Sequence, residues 1–279
     1  MEKILLALDP LNTNMSTIDF ACYISRLTKS RLTGVFLEDM SDEGRPVMKE
    51  IQGATYLNSE PTQRPAPDGE CRNATEVTIR NFKEACDCRS VSTLVHRDRG
   101  VPVSEVIEES RFADLIIIDA ETSFTKSNEA PPGRFVRDVL LESECPVIIS
   151  PYDFDYIGEV IFSYDGSKSS VFAIKQFTHL FPELRQKKAI VVSVRNDGKD
   201  TLTEQYKMKE WLKNHYSDVE FVILKGEPAD QLFGYLIEKK NGIVVMGAYG
   251  RNMLSRFFKP SHARLIVKTI NLPIFIAHY

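Results

Sequence analysis

Two glycines, Gly247 and Gly250, follow an apolar run over residues 242–246, and nine residues separate Gly250 from Pro260 and Ser261. These residue types in this pattern can bind an anion. Glycine lets a backbone approach phosphate closely, and the unpaired N–H groups in the first turn of a helix point toward a negative ligand. The apolar run reads as a buried strand, and the apolar spacing after Ser261 reads as a helix whose N-terminus faces that ligand. A second stretch, 159–164, reads as a strand and is followed by Asp165, which offers a carboxylate at that strand's carboxyl end.

Each of these residues also has a plainer role. Asp165, Gly166 and Ser167 form a good turn and helix cap. Gly247 and Gly250 can be turn glycines. Arg251 and Lys259 flank the loop, either as phosphate partners or as solvated cations. His262 reads as a contact at the helix start rather than a general base, because no nucleophile accompanies it. Phe257 and Phe258 read as packing or interface residues.

The elements that must position these residues occur twice. In the first half, strands are expected over 3–9, 31–37, 91–96, 114–119 and 146–150, with helices over 16–27, 77–88, 103–111 and 133–142. Residues 39–75 hold most of this half's proline and glycine and read as an irregular excursion. In the second half, strands are expected over 159–164, 189–194, 219–224, 242–246 and 273–277. Helices are expected over 169–180, 202–214 and 229–239, and again from Ser261. Asp9 matches Asp165, Gly100 and Pro102 match Gly226 and Pro228, and Pro146 matches Pro273. Counting back from the last two prolines sets Ala120 opposite Gly247 and Ser123 opposite Gly250. It also sets Gly133 and Arg134 opposite Pro260 and Ser261.

Alternating short strands and helices imply an α/β fold, here two tandem doubly wound parallel-sheet domains of five strands each, over 1–151 and 156–279. In such sheets ligands lie beyond the carboxyl ends of the strands, where the strand order reverses, so Asp165 and Gly247 are expected to converge. The two closing strands each leave an edge, and pairing them covers both. That makes the chain an intramolecular pseudo-dimer, and a homodimer of the tandem chain is compatible with it.

The charge of −4 and pI of 5.8 argue against nucleic acid or an anionic membrane as the main partner. No run of about 18 apolar residues exists, and the apolar run at 4–8 is too short for a signal peptide. A cytoplasmic location is expected. Five scattered cysteines read as free thiols in a reducing compartment. Cys86 and Cys88, together with Cys71, do not read as a metal site, because a Cys-x-Cys pair on a helix points its thiols to different faces.

The spacing Gly247-x2-Gly250-x9-Pro260-Ser261 resembles the Gly-x2-Gly-x9-Gly-(Ser/Thr) loop of the universal stress protein family, and Asp165 resembles its first-strand aspartate. The chain as a whole is similar to a tandem universal stress protein, outside residues 39–75. The resemblance implies an adenine nucleotide, ATP or AMP, with or without magnesium. It sets Asp165 and Val194 on the base and ribose side, Met246 and Gly247 under the ribose and phosphates, and Gly250, Ser261 and His262 at the phosphates. Pro260 departs from the pattern by replacing the third glycine, and proline removes an N–H donor. The first half departs further, with Ala120, Ser123 and Arg134 in the loop and Glu121 beside it. Its site is expected to bind nucleotide poorly or not at all, although Asp9 and Gly133 remain.

The resemblance implies a stress-response sensor or adaptor without dedicated catalysis, acting on unknown protein partners. The alternatives are an interaction scaffold with both sites inactive and a slow ATPase. The chain lacks Gly-x4-Gly-Lys-(Ser/Thr) and a base beside the loop, which disfavours turnover.

Overall fold

A computed structural model describes residues 1–39, 48–51, 54–57, 69–124, 131–195, 204–248 and 270–278. It opens with β1 (Lys3–Leu8), α1 (Met15–Thr28) and β2 (Arg31–Asp39), then β3 (Met48–Ile51), β4 (Ala54–Leu57) and α2 (Gly69–Cys88). β5 (Thr93–Gly100), α3 (Pro102–Ser110), β6 (Leu115–Ile118), α4 (Arg134–Glu142) and β7 (Val147–Ile149) follow. The second half runs β8 (Glu159–Ser163), α5 (Lys168–Leu180), β9 (Lys188–Arg195), α6 (Gln205–Lys213) and β10 (Val219–Lys225). It continues with α7 (Pro228–Ile237), β11 (Gly242–Gly247) and β12 (Ile274–Ala277).

Local chemistry sets these limits. Asn14 caps α1 by accepting the N–H of Ser16, and Lys29 ends the helix in the left-handed region at φ 55°. Both Gly-x-Pro turns of the repeat open a helix. Pro102 and Pro228 sit in the first turns of α3 and α7, where a missing N–H costs nothing. β1, β6, β8 and β11 are mostly buried apolar residues, as strands covered on both faces require.

The chain divides into two compact units, Met1–Glu129 with Gly133–Cys145 and Ala130–Pro132 with Pro146–Tyr279. In the first unit the strand order is β6-β1-β2-β5-β3-β4, with β6, β1, β2 and β5 parallel. Phe20, Phe36 and Phe82 are fully buried at its core, and Phe36 meets Phe82 edge to face. In the second unit the order is β10-β9-β8-β11-β12-β7, with the first five parallel. Its core holds Phe162, Phe177, Phe181 and Phe275, all fully buried. In sequence rank the parallel strands of the second unit run third, second, first, fourth, fifth. The order therefore reverses between β8 and β11, and in the first unit between β1 and β6. Right-handed crossovers on either side of that point put helices on both faces of each sheet.

The two closing strands pair as expected: β7 lies antiparallel to β12 (Ile274 opposite Ile149), which counts β7 with the second unit. One expectation changes. Residues 39–75 are not irregular throughout: β3 and β4 form an antiparallel pair against β5, and α2 begins at Gly69. Ile51, the last residue of β3, stands opposite Ala54, the first of β4. Pairing with β5 supplies hydrogen bonds that four-residue runs cannot supply alone.

Candidate functional site

The carboxyl edge of the second unit is built from the ends of β8, β9 and β11. Phe162 lies opposite Val245, and Ser163 opposite Val192. Continued by two residues, this register sets Asp165, Val194 and the Gly247–Ala248 turn at one level. Asp165 is exposed, and its Oδ1 accepts the N–H of Ser167 at 2.9 Å. Ser167, not Asp165, caps α5 by accepting the N–H of Ser170 at 3.1 Å. Asp165 thus closes the turn with one oxygen, and its other oxygen has no hydrogen-bond partner among the described residues. Val194 is half-buried and pairs with Leu224 of β10.

Met246 and Gly247 hold the wall of this edge. Met246 is buried and pairs with Ile276, so it packs in the core. Gly247 pairs with Ala277 and lies against the first turn of α5. An added Cβ there would stand 2.5 Å from the Ser169 carbonyl carbon and Oγ and 2.6 Å from its O. Glycine is therefore demanded by close helix–strand packing, the use also made of glycine in dinucleotide folds. Gly250, Pro260, Ser261 and His262 lie outside the described residues, as do Arg251, Phe257, Phe258 and Lys259.

The first unit repeats the turn but not the opening. The N–H of Leu11 donates to Asp9 Oδ1 at 2.9 Å, the same turn that Asp165 makes. Asp9, however, is buried, and burial raises its pKa against two backbone hydrogen bonds. Beside it, Asp119 ends β6. Its Oδ2 accepts from Asn14 Nδ2 at 2.9 Å and Thr17 Oγ1 at 3.1 Å, and its Oδ1 accepts from the N–H of Glu121 at 2.8 Å. A carboxylate of the chain itself occupies the N-terminus of α1, where an anionic ligand would otherwise be welcome. Helix start explains part of the difference. α5 begins three residues after Asp165 and α1 six after Asp9, so α5 reaches Gly247 while the corresponding stretch of the first unit is a loop. Ala120, buried, fits there with its Cβ. Gly133 precedes α4 in an extended conformation, and Arg134 is exposed, 3.5 Å from Asp138 of its own helix.

Asp119 is the residue that sequence reasoning missed. Its signal lay in the repeat, which sets Asp119 opposite the apolar Met246. On the α5–α6 side of the β8 end, a cavity of about 270 Å³ has Tyr164, Ile174, Lys175, Lys207, Met208 and Trp211 among its lining residues. Burial pushes the Tyr164 phenol up, and the Glu204 and Asp165 carboxylates add to it.

No family profile and no curated protein sequence matches the chain. Solved structures do. A universal stress protein from Archaeoglobus fulgidus DSM 4304 superposes with a TM-score of 0.71 at 16% identity, over 99% of this chain and 98% of that one. A functionally unknown protein from Pseudomonas aeruginosa PAO1 superposes with a TM-score of 0.57 at 13% identity, over 100% of this chain and 92% of that one. Parallel α/β units with this strand order form one architectural class, and within it the chain has the universal stress protein fold. Among the described residues, no helix is long and apolar enough to cross a membrane.

Proposed function

We propose that the chain is a cytoplasmic universal stress protein that binds an adenine nucleotide, ATP or AMP, at the carboxyl edge of its second unit. It acts as a sensor or adaptor for protein partners, without dedicated catalysis. The observation that carries this reading is the contrast between the two edges. Asp165 stands exposed with one oxygen unengaged among the described residues, level with Val194 and Gly247, whereas Asp119 at the corresponding edge of the first unit is taken up by Asn14, Thr17 and the N–H of Glu121. An exposed carboxylate oxygen at a strand-order reversal suits the amino or hydroxyl donors of an adenosine. The fold shared with a universal stress protein supports the class.

On this reading Asp165 and Val194 take the base and ribose, and Met246 supports them from the core. Gly250, Ser261 and His262 serve the phosphates, with magnesium entering alongside ATP. Pro260 weakens the phosphate end by removing one N–H donor, a loss of about 1.5–3 kcal/mol for a charged hydrogen bond. The first unit binds no nucleotide, because Asp119 would repel phosphate at short range.

A second reading, an interaction scaffold that binds no nucleotide, is favoured by the packing of Gly247 on Ser169, which requires glycine with or without a ligand. Calorimetric titration of the full chain with AMP and ATP separates the two. Saturable binding at or below millimolar ligand supports the nucleotide reading; its absence leaves the scaffold.

A further inference from the structure

Two of the described cysteines meet in the first unit. Cys22 of α1 and Cys86 of α2 are wholly buried, and their sulfur atoms lie 3.5 Å apart. Among the described residues each thiol has the other as its only hydrogen-bond partner. Of the other cysteines whose side chains are described, Cys145 is buried and Cys88 is exposed. A disulfide bond is about 2.05 Å long, so joining Cys22 to Cys86 asks for a closure of roughly 1.5 Å.

We propose that Cys22 and Cys86 form an oxidisable dithiol site, which a peroxide converts to a disulfide joining α1 to α2. The chemistry needs one thiolate and one thiol. The Cys22 thiolate attacks a peroxide oxygen and breaks the O–O bond, giving a Cys22 sulfenic acid and hydroxide. Cys86 then attacks the Cys22 sulfur, the S–S bond forms, and the sulfenic hydroxyl leaves as water with the Cys86 proton. Two thiols lose two electrons in all, and hydrogen peroxide is reduced to two waters.

Either sulfur can donate the hydrogen bond between them. Where Cys86 donates, that bond and the Arg89 guanidinium lower the Cys22 pKa against burial, and Cys86 is held above the ordinary thiol range. A thiolate is the reactive form, so in that arrangement Cys22 attacks and Cys86 resolves. The proposal places peroxide entry at the end of α2. Arg89 donates to the Ala85 carbonyl and forms a 2.6 Å ion pair with Asp19, which stands one turn before Cys22 on α1. Both partners of this pair are partly exposed, so it opens with the fraying helix end and admits a molecule as small as hydrogen peroxide.

The full chain is treated with hydrogen peroxide, alkylated, and mapped by peptide mass spectrometry. The expected product is a cross-link between the peptides holding Cys22 and Cys86, with a loss of 2 Da per chain. It is retained in a Cys71→Ser/Cys88→Ser variant and absent in Cys22→Ser and Cys86→Ser. Asp19→Ala, which opens the ion pair without touching either sulfur, is expected to speed cross-linking severalfold. The disulfide is expected to raise the melting temperature by several degrees, because it closes a long loop in the unfolded chain. The proposal is overturned if both thiols stay reduced under peroxide that oxidises Cys88. It is equally overturned if Cys22 proceeds to sulfinic acid, or if its cross-link forms with Cys71 or Cys88 while Cys86 remains free.

Discussion

Gly247 lies so close to Ser169 that a single added carbon would stand 2.5 Å from the Ser169 carbonyl carbon. The obstruction is backbone of α5, which cannot swing aside as a side chain does. Gly247→Ala is therefore expected to destabilise the protein by about 1–3 kcal/mol through overpacking, before any ligand is considered. Thermal or urea unfolding of the nucleotide-free chain measures it. A variant as stable as the wild type would mean that α5 does not approach β11 as described.

The turn role of Asp165 and its proposed ligand role are separable, and Asp165→Asn divides them. Asparagine keeps an oxygen to accept the Ser167 N–H, so the turn survives and stability is expected to change by less than about 1 kcal/mol. The negative charge is lost, and a charge-assisted hydrogen bond to nucleotide is weakened. Affinity for AMP is expected to fall about tenfold or more, as judged by titration. Unchanged affinity together with lost stability would reduce Asp165 to a turn residue.

In the first unit Asp119 gathers Asn14, Thr17 and the N–H of Glu121. Asp119→Ala strands those donors at the start of α1, and a loss of about 1–3 kcal/mol is expected from equilibrium unfolding. Nucleotide affinity is expected to stay at the wild-type value, since the proposed binding edge belongs to the second unit. Weakened binding in this variant would place a ligand in the first unit after all.

Acid sensitivity follows from Glu109 of α3. Burial alone would raise its pKa, but His96, 3.2 Å away, and Lys3, also 3.2 Å away, outweigh burial and hold it at about 2. A carboxyl depressed on folding stabilises fully above its ordinary value of 4.5, and that contribution is lost as pH falls toward about 2. Glu109→Gln is expected to cost about 1–3 kcal/mol at pH 7 and to flatten the decline in stability between about pH 5 and 2. Parallel curves for variant and wild type across that range would remove Glu109 from the acid response.

Much of this architecture was legible because the repeat made it redundant. Each Gly-x-Pro turn vouched for the other, and the four-residue run Leu115–Ile118 gained weight from its counterpart ending at Gly247. The strand ends that carry Asp165, Val194 and Gly247 were among the legible parts, and the register sets the three at one level. Their individual jobs were less legible. The closeness of Gly247 to Ser169 depends on α5 starting one turn sooner than α1, a tertiary fact that spacing within one strand does not carry. Asp119 read as a strand terminus because its partners, Asn14 and Thr17, are about a hundred residues away in sequence. The β3–β4 pair escaped because four-residue strands carry almost no periodicity, and their stability comes from β5.

The central claim is one nucleotide site per chain, in the second unit. Calorimetric stoichiometry on the full chain tests it most directly, with AMP as ligand and with Asp165→Asn and Asp9→Asn as paired variants. The account predicts one site in the wild type, a marked loss of affinity in Asp165→Asn, and no change in Asp9→Asn. Two sites per chain, or a single site weakened through Asp9 and indifferent to Asp165, would contradict it.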